Sequence, residues 1–205
     1  MSYNISEIKN DIVNMHKEDF YIKYLIRSNN WYFENILSKK DSEIMSITDE
    51  FKFIVSKSFG VSFNNVLMVG SGKTGYSFSP SKKAFKKFNS QSDIDIAIIS
   101  NNLFLDYWTL FRKNYSLSNK YLYGFISRGI YRGYISERNI NNIDECKVIW
   151  TRKSNISNKK LKEDLYFQNK ISYRIYRQWE DFEEYTLQSI ELLAKKLKGD
   201  INNEI

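Results

Sequence analysis

Two aspartates set two positions apart, Asp93 and Asp95, and a small-residue turn, Gly70-Ser71-Gly72-Lys73-Thr74-Gly75, are the residues of this sequence whose types and spacing can do chemistry. Ile94, Ile96 and Ile98 alternate with Asp93, Asp95 and Ala97, which is the period of a strand with one buried face. The alternation predicts that both carboxylates point the same way, with the isoleucines on the other side. Two carboxylates that close repel each other unless a cation lies between them or one pKa rises. Oxygen ligands that leave room for water and substrate phosphates suit magnesium better than zinc. Ahead of Gly70, the apolar run Asn65-Val66-Leu67-Met68-Val69 predicts a buried strand ending in a turn against which a phosphate can sit. The ordinary alternative is a solvated strand face and a plain turn. For an isolated Asp-x-Asp the two readings are about even, and the glycine-serine turn one strand earlier favours a magnesium–phosphate site.

Gly70-Ser71 followed by Ser92-Asp93-Ile94-Asp95 resembles the signature of the DNA polymerase beta-like nucleotidyltransferase superfamily, over about residues 60 to 100. The resemblance implies that the glycine-serine turn opens a helix whose backbone amides hold a nucleotide triphosphate. It also implies that the aspartates on the neighbouring strand bind metal. Carried onto this chain, Asp93 and Asp95 are the catalytic and metal-ligating residues, and Gly70, Ser71, Lys73 and Ser92 are the nucleotide-binding ones. A helix start suits that task, because its unpaired N–H groups and positive dipole end favour an anion. The implied cofactor is magnesium or manganese, with an NTP as substrate.

Two departures stand beside the resemblance. The interval from Ser71 to Asp93 is long, and the excess, Phe78 to Gln91, contains Pro80, Lys82, Lys83, Lys86 and Lys87. It reads as a loop or short hairpin beside the site. The superfamily also draws a third carboxylate from a later strand. The best later strand, Lys170 to Arg177, would set Ser172 or Arg174 beside the aspartates, and Arg174 or Arg177 toward the triphosphate. Gly72-Lys73-Thr74 looks like the end of a P-loop, but Leu67 stands where that motif needs a glycine. Lys73 then either touches a phosphate or is an ordinary turn lysine.

Around these residues the expected fold is α+β. A small mixed or antiparallel sheet of a nucleotidyltransferase palm is flanked by helices, with helical segments at both ends, in one domain over residues 1–205. Residues 1–59 form a helical part, 60–177 the sheet core and 178–198 a terminal helix. Ile5 to Leu37 reads as one or two amphipathic helices, through Ile5, Ile8, Ile12, Met15, Phe20, Tyr24 and Trp31. Asp41 or Ser42 caps the next helix, with stripe Ile44, Ile47, Phe51, Ile54 and Val55, which stops at Gly60. Ser100 or Asn101 caps a helix through Phe104, Trp108 and Phe111. Cys146 to Trp150 reads as a strand. The last helix carries Trp179, Phe182, Ile190, Leu193 and Leu197, with acids early and lysines late.

Hydrophobic content of 42% with 16% aromatics argues against disorder, although mean hydropathy is negative. One cysteine, Cys146, and one histidine, His16, exclude an internal disulfide, a zinc cluster and a His-based nucleophile triad. With no secretory pattern and no membrane-length apolar run, a cytoplasmic protein is expected. The net charge of +7 attracts polyanions, though a solvated basic face is the commoner meaning. From Tyr115 to Trp150, Tyr121, Tyr123, Phe125, Arg128, Tyr131, Arg132, Tyr134 and Arg138 interleave. That pattern reads first as core and second as a base-stacking surface.

The expected activity is transfer of an NMP group from an NTP to an acceptor hydroxyl on protein, RNA or a small molecule. Bacterial members of the superfamily often serve in toxin–antitoxin or phage-defence systems, and the resemblance extends that role to this chain. The alternative is a catalytically degenerate relative that binds nucleotide or nucleic acid as a regulatory partner.

Overall fold

The computed structural model describes residues 4–80 and 85–202; Lys82 and Lys83 of the basic insert lie outside them. Four strands form one sheet: β1 (Val66–Val69), β2 (Ile94–Ile99), β3 (Tyr134–Ser136) and β4 (Ile171–Tyr176), in spatial order β1-β2-β4-β3. β2 and β4 run parallel, while β1 pairs with β2 and β3 with β4 in antiparallel fashion, so the sheet is mixed. The period-2 pattern sorts the sheet into two apolar faces. Val66, Met68, Ile94, Ile96, Ile98, Tyr173 and Ile175 belong to one core cluster. Ala97, Ile99 and Tyr176, joined by half-buried Leu67 and Val69, belong to the other. Helices cover both faces, and the fold class is α+β.

On the isoleucine face lie three long helices. The first, residues Asp41–Phe59, buries Phe51, Ile54, Val55 and Phe59 and stops at Gly60, which takes the left-handed conformation a helix end favours (φ +71°). Its N-cap is Lys40 and not Asp41 or Ser42; the Lys40 backbone N–H is held by Glu43 at 3.0 Å. The second, Asn101–Lys113, is capped by the Ser100 hydroxyl, which accepts from the Leu103 N–H. Its buried stripe is Leu103, Phe104, Tyr107 and Phe111, so Trp108 faces outward, one position away from the stripe expected of it. The third, Asp144–Leu165, corrects the strand expected at Cys146 to Trp150. Cys146, Trp150, Ser154, Ser157 and Leu161 form its inner edge at helical spacing, while Val148 is exposed.

The opposite face is covered by the chain ends. Residues Ile5–Asn14, Lys17–Tyr21 and Trp31–Asn35 are three helices where one or two were expected; the first two lie on this face, while Tyr32 and Phe33 of the third belong to the isoleucine-face core. Met15 and His16 are extended and break the first from the second, and a π-helical turn over Ile22–Ile26 follows the second. Ile8, Ile12, Phe20 and Tyr24 pack there against Phe182, Ile190 and Leu193 of the last helix, Trp179–Asn202. Trp179 stays exposed at the start of that helix. No helix among the described residues is long and apolar enough to cross a membrane.

Candidate active site

β1 leads straight into Gly70, and the chain can turn there because Gly70 adopts φ +62°. The helix that follows, Gly70–Thr74, is a single turn ended by Gly75 at φ +81°, much shorter than a helix that would carry a strong dipole. Trp31 covers the turn so closely that a Cβ on Gly75 would meet its ring at 2.8 Å. Beyond the turn the described ends of the insert lie side by side: Tyr76 and Lys87 form a β-bridge, the Ser77 N–H donates to the Lys86 carbonyl at 2.9 Å, and the Phe85 N–H donates to the Ser77 carbonyl at 3.1 Å. Phe78 and Phe85 anchor it, with Phe78 edge-on to Phe20 at 5.4 Å.

β1 and β2 pair so that Val69 stands opposite Asp95. This register brings the glycine turn onto the aspartate: a Cβ built on Gly70 would lie 2.7 Å from Asp95 Oδ2. On the other side of β2, Ser172 of β4 is the registered partner of Asp95, and its hydroxyl donates to Asp95 Oδ1 at 2.6 Å. Asp95 is thus held from both neighbouring strands, one oxygen against Gly70 and the other on Ser172. Asp93 directly precedes β2 on the same alternation and is exposed. The expected later strand is β4, and the residue it sets beside the aspartates is a serine. Among the described residues no three His, Cys, Asp or Glu side chains cluster as a metal site.

The remaining expected residues divide. Ser71 sits in the turn, half-buried, and its carbonyl accepts from Gly75 N–H at 2.9 Å. Ser92 closes the tight turn before Asp93. Its hydroxyl accepts from the Asn89 N–H at 3.0 Å, and its carbonyl takes one of three bonds from the Asn169 amide, which fastens this loop to the entry of β4. Lys73 points away from solvent, and its ammonium donates to the Ser28 carbonyl. Burial pushes Lys73 down to about 8, against a smaller upward pull from the Glu34 charge. Arg177 is taken by a two-pronged pair with Asp181, at 2.9 and 2.8 Å.

Arg174 follows Ser172 on the same face of β4. Its guanidinium is clamped between the rings of Tyr134 and Tyr185, at 4.8 and 4.9 Å, with Tyr176 Oη 3.4 Å from Nη1. Among the described residues no carboxylate ion-pairs with it, and the groups that surround the guanidinium are phenol rings. The alternation in Lys170 to Arg177 carried this placement. The short range of β3 gave no comparable signal, although β3 supplies Tyr134 to the clamp.

The state of Lys73 has a measurable consequence. An ammonium that ionises near pH 8 when folded and at 10.5 when unfolded is charged in both states below pH 8, so the folded state bears a penalty there that fades as pH rises. Lys73→Met removes it. Denaturant titrations at several pH values are expected to show wild-type stability gaining on the variant by roughly 3 kcal/mol between pH 8 and 10.5. A constant difference over that range would mean that Lys73 titrates normally.

Comparison with protein-family models, with curated proteins and with solved structures finds no match to this chain.

Proposed function

We propose that this protein is a magnesium-dependent nucleotidyltransferase that moves an NMP group from an NTP to an acceptor hydroxyl. The observation that carries the reading is the meeting of Gly70 with Asp95, in which a turn with φ +62° and no side chain lies against the carboxylate of the next strand. A turn that only reversed the chain would not need to touch an acid; a phosphate-binding turn beside a cation site does. The mixed sheet agrees with a small palm of the polymerase beta-like kind, and this superfamily is part of the proposal.

The donor set fits one magnesium ion. Asp93 and Asp95 are hard oxygen ligands, and a site that takes one or two carboxylates and completes itself with water and phosphate oxygens is the usual one for magnesium. It does not fit a pair of ions, because the position across from Asp95 is Ser172. When bound, magnesium would neutralise charge on the phosphate oxygens and lower the pKa of the acceptor hydroxyl. The N–H groups of Gly70 and Ser71, at the head of the turn where helical partners are missing, hold the β and γ phosphates. Ser172 fixes the rotation of the Asp95 carboxylate. The acceptor oxygen attacks the α phosphorus, the new O–P bond forms as the bond to pyrophosphate breaks, and the hydroxyl proton passes to solvent. Alignment of these groups supplies most of the rate.

Ser172 also favours a second reading, in which the fold binds nucleotide without transferring it and acts as a regulatory partner. The two separate in one assay. Each NTP, labelled at the α phosphate or, in a parallel reaction, at the γ phosphate, is incubated with the protein, magnesium or manganese, and RNA or protein acceptors. The first reading expects label on an acceptor, with γ label released as pyrophosphate. Binding without transfer supports the second, and the absence of both contradicts each.

A further inference from the structure

We infer that the outward face of the helix Lys120–Tyr131 is a docking surface for single-stranded nucleic acid, independent of the activity proposed above. The helix is amphipathic in an unusual sense. Its inner side carries the buried Ile126 and Gly129, with half-buried Leu122, Tyr123 and Ile130, and Tyr123 donates its hydroxyl to the Phe111 carbonyl at 2.6 Å. Its outer side carries Tyr121, Phe125, Arg128 and Tyr131, followed by Arg132, all within roughly 120° of arc at 100° per residue. Tyr121 is 79% exposed, Phe125 62% and Tyr131 92%. Three large rings standing in water on one stripe are the opposite of what a solvated helix face presents.

The charge around them says what fits. From Tyr107 to Ser136 the chain has no aspartate or glutamate, and it has Arg112, Lys113, Lys120, Arg128 and Arg132. Lys120 lies over the Tyr121 ring at 5.4 Å and Arg128 over Phe125 at 5.4 Å, so each cation already stands beside an exposed aromatic face. Among the described residues neither Lys120 nor Arg128 is paired with a carboxylate, and both charges remain available to a polyanion. Tyr121 and Phe125 are four residues apart, about 6 Å along the axis. Rings for unstacked bases and cations for the phosphates between them are what single strands bind, whereas a duplex offers no base faces. A protein partner would be met by acidic side chains but would not require flat rings; an anionic membrane would be met by the same charges with no preference for bases.

The test uses the full chain and fluorescein-labelled 20-mers of oligo(U) and oligo(dT), with a duplex of equal length as control. Anisotropy is expected to give micromolar binding of the single strands at 50 mM salt, with log affinity falling linearly as log salt rises. Tyr121→Ala/Phe125→Ala is expected to lose about tenfold or more in affinity with the salt slope unchanged. Arg128→Gln is expected to reduce the slope by about 0.7, the value for one phosphate contact on a single strand. Asp95→Asn is expected to bind as the wild type does, which separates this surface from the proposed active site. All four positions are exposed or half-buried, and circular dichroism checks that the variants fold. Wild-type affinity in the double variant, preference for the duplex, or partition onto phosphatidylserine vesicles without oligonucleotide binding would each overturn the inference.

Discussion

Gly70→Ala is expected to lower nucleotide transfer by about a hundredfold or more while costing about 1–3 kcal/mol of stability. Two effects act at once. The residue sits at φ +62°, which strains any side chain, and the added Cβ would lie 2.7 Å from Asp95 Oδ2, closer than such atoms approach. Either the turn moves off the aspartate or the carboxylate swings away from Ser172, and both displace groups that the reaction needs aligned. Gly60→Ala is the control. It has φ +71° but nothing within 4 Å of its would-be Cβ, so it is expected to cost about 1 kcal/mol and leave transfer intact. Parallel denaturation and transfer measurements distinguish a lost geometry from a weakened backbone: equal activity losses at the two sites would show that Gly70 matters only as a turn.

The largest effect on stability is expected at Trp150. Its side chain is 1% exposed and packs against Phe59 at 5.0 Å, Tyr107 at 5.7 Å and Tyr173 at 5.8 Å between ring centroids. Its indole N–H donates to Glu137 at 2.9 Å, and the same carboxylate accepts the Tyr173 N–H at 3.1 Å. Trp150→Ala removes the ring that joins two helices to β4 and leaves Glu137 with one partner fewer. The expected loss is about 3–5 kcal/mol, seen as a fall in Tm of roughly 6–20 °C for a chain of this length. Phenylalanine at this position is expected to recover more than half of it by refilling the space without the hydrogen bond. A loss below about 1 kcal/mol for the alanine variant would show that the three rings close over the gap.

The same residue shows why part of the fold was legible in the sequence and part was not. β1, β2 and β4 announce themselves because apolar residues alternate or run short, with β1 ending at Gly70 and β2 at Ser100, and the helix ending at Phe59 stops where Gly60 permits the left-handed turn. Cys146 to Trp150 misled because the inner edge of its helix continues through Ser154 and Ser157, so the apolar stripe disappears after one step while Val148 and Ile149 thicken it locally. Serine is small enough to sit at a close helix contact, and Ser157 is fully buried beside Tyr173 Oη at 3.0 Å. Trp108 misled in the other direction: the larger ring suggests the core, yet Tyr107 fills it. The rings of 121 to 131 mix half-buried and exposed positions, which composition alone does not sort.

At the candidate site, the sequence placed both aspartates, the turn and the serine strand, since each depends on local alternation. It did not reveal the contact between Gly70 and Asp95, which arises from the β1–β2 register, nor the Arg174 clamp, whose rings come from β3 and the last helix. It also left Lys73 between two roles, and the Ser28 carbonyl that holds it lies 45 residues earlier in the chain.

Whether Asp95 works at a nucleotidyl-transfer site is decided by the initial rate of label transfer from an α-labelled NTP, measured for the wild type and for Asp95→Asn. Asparagine keeps the shape of the side chain and an oxygen for the Ser172 hydroxyl, so the fold is expected to persist while the negative charge is lost. The wild type is expected to transfer label in magnesium, and the folded variant on the order of a thousandfold more slowly. A folded Asp95→Asn protein that transfers nucleotide at the wild-type rate would contradict this role of Asp95.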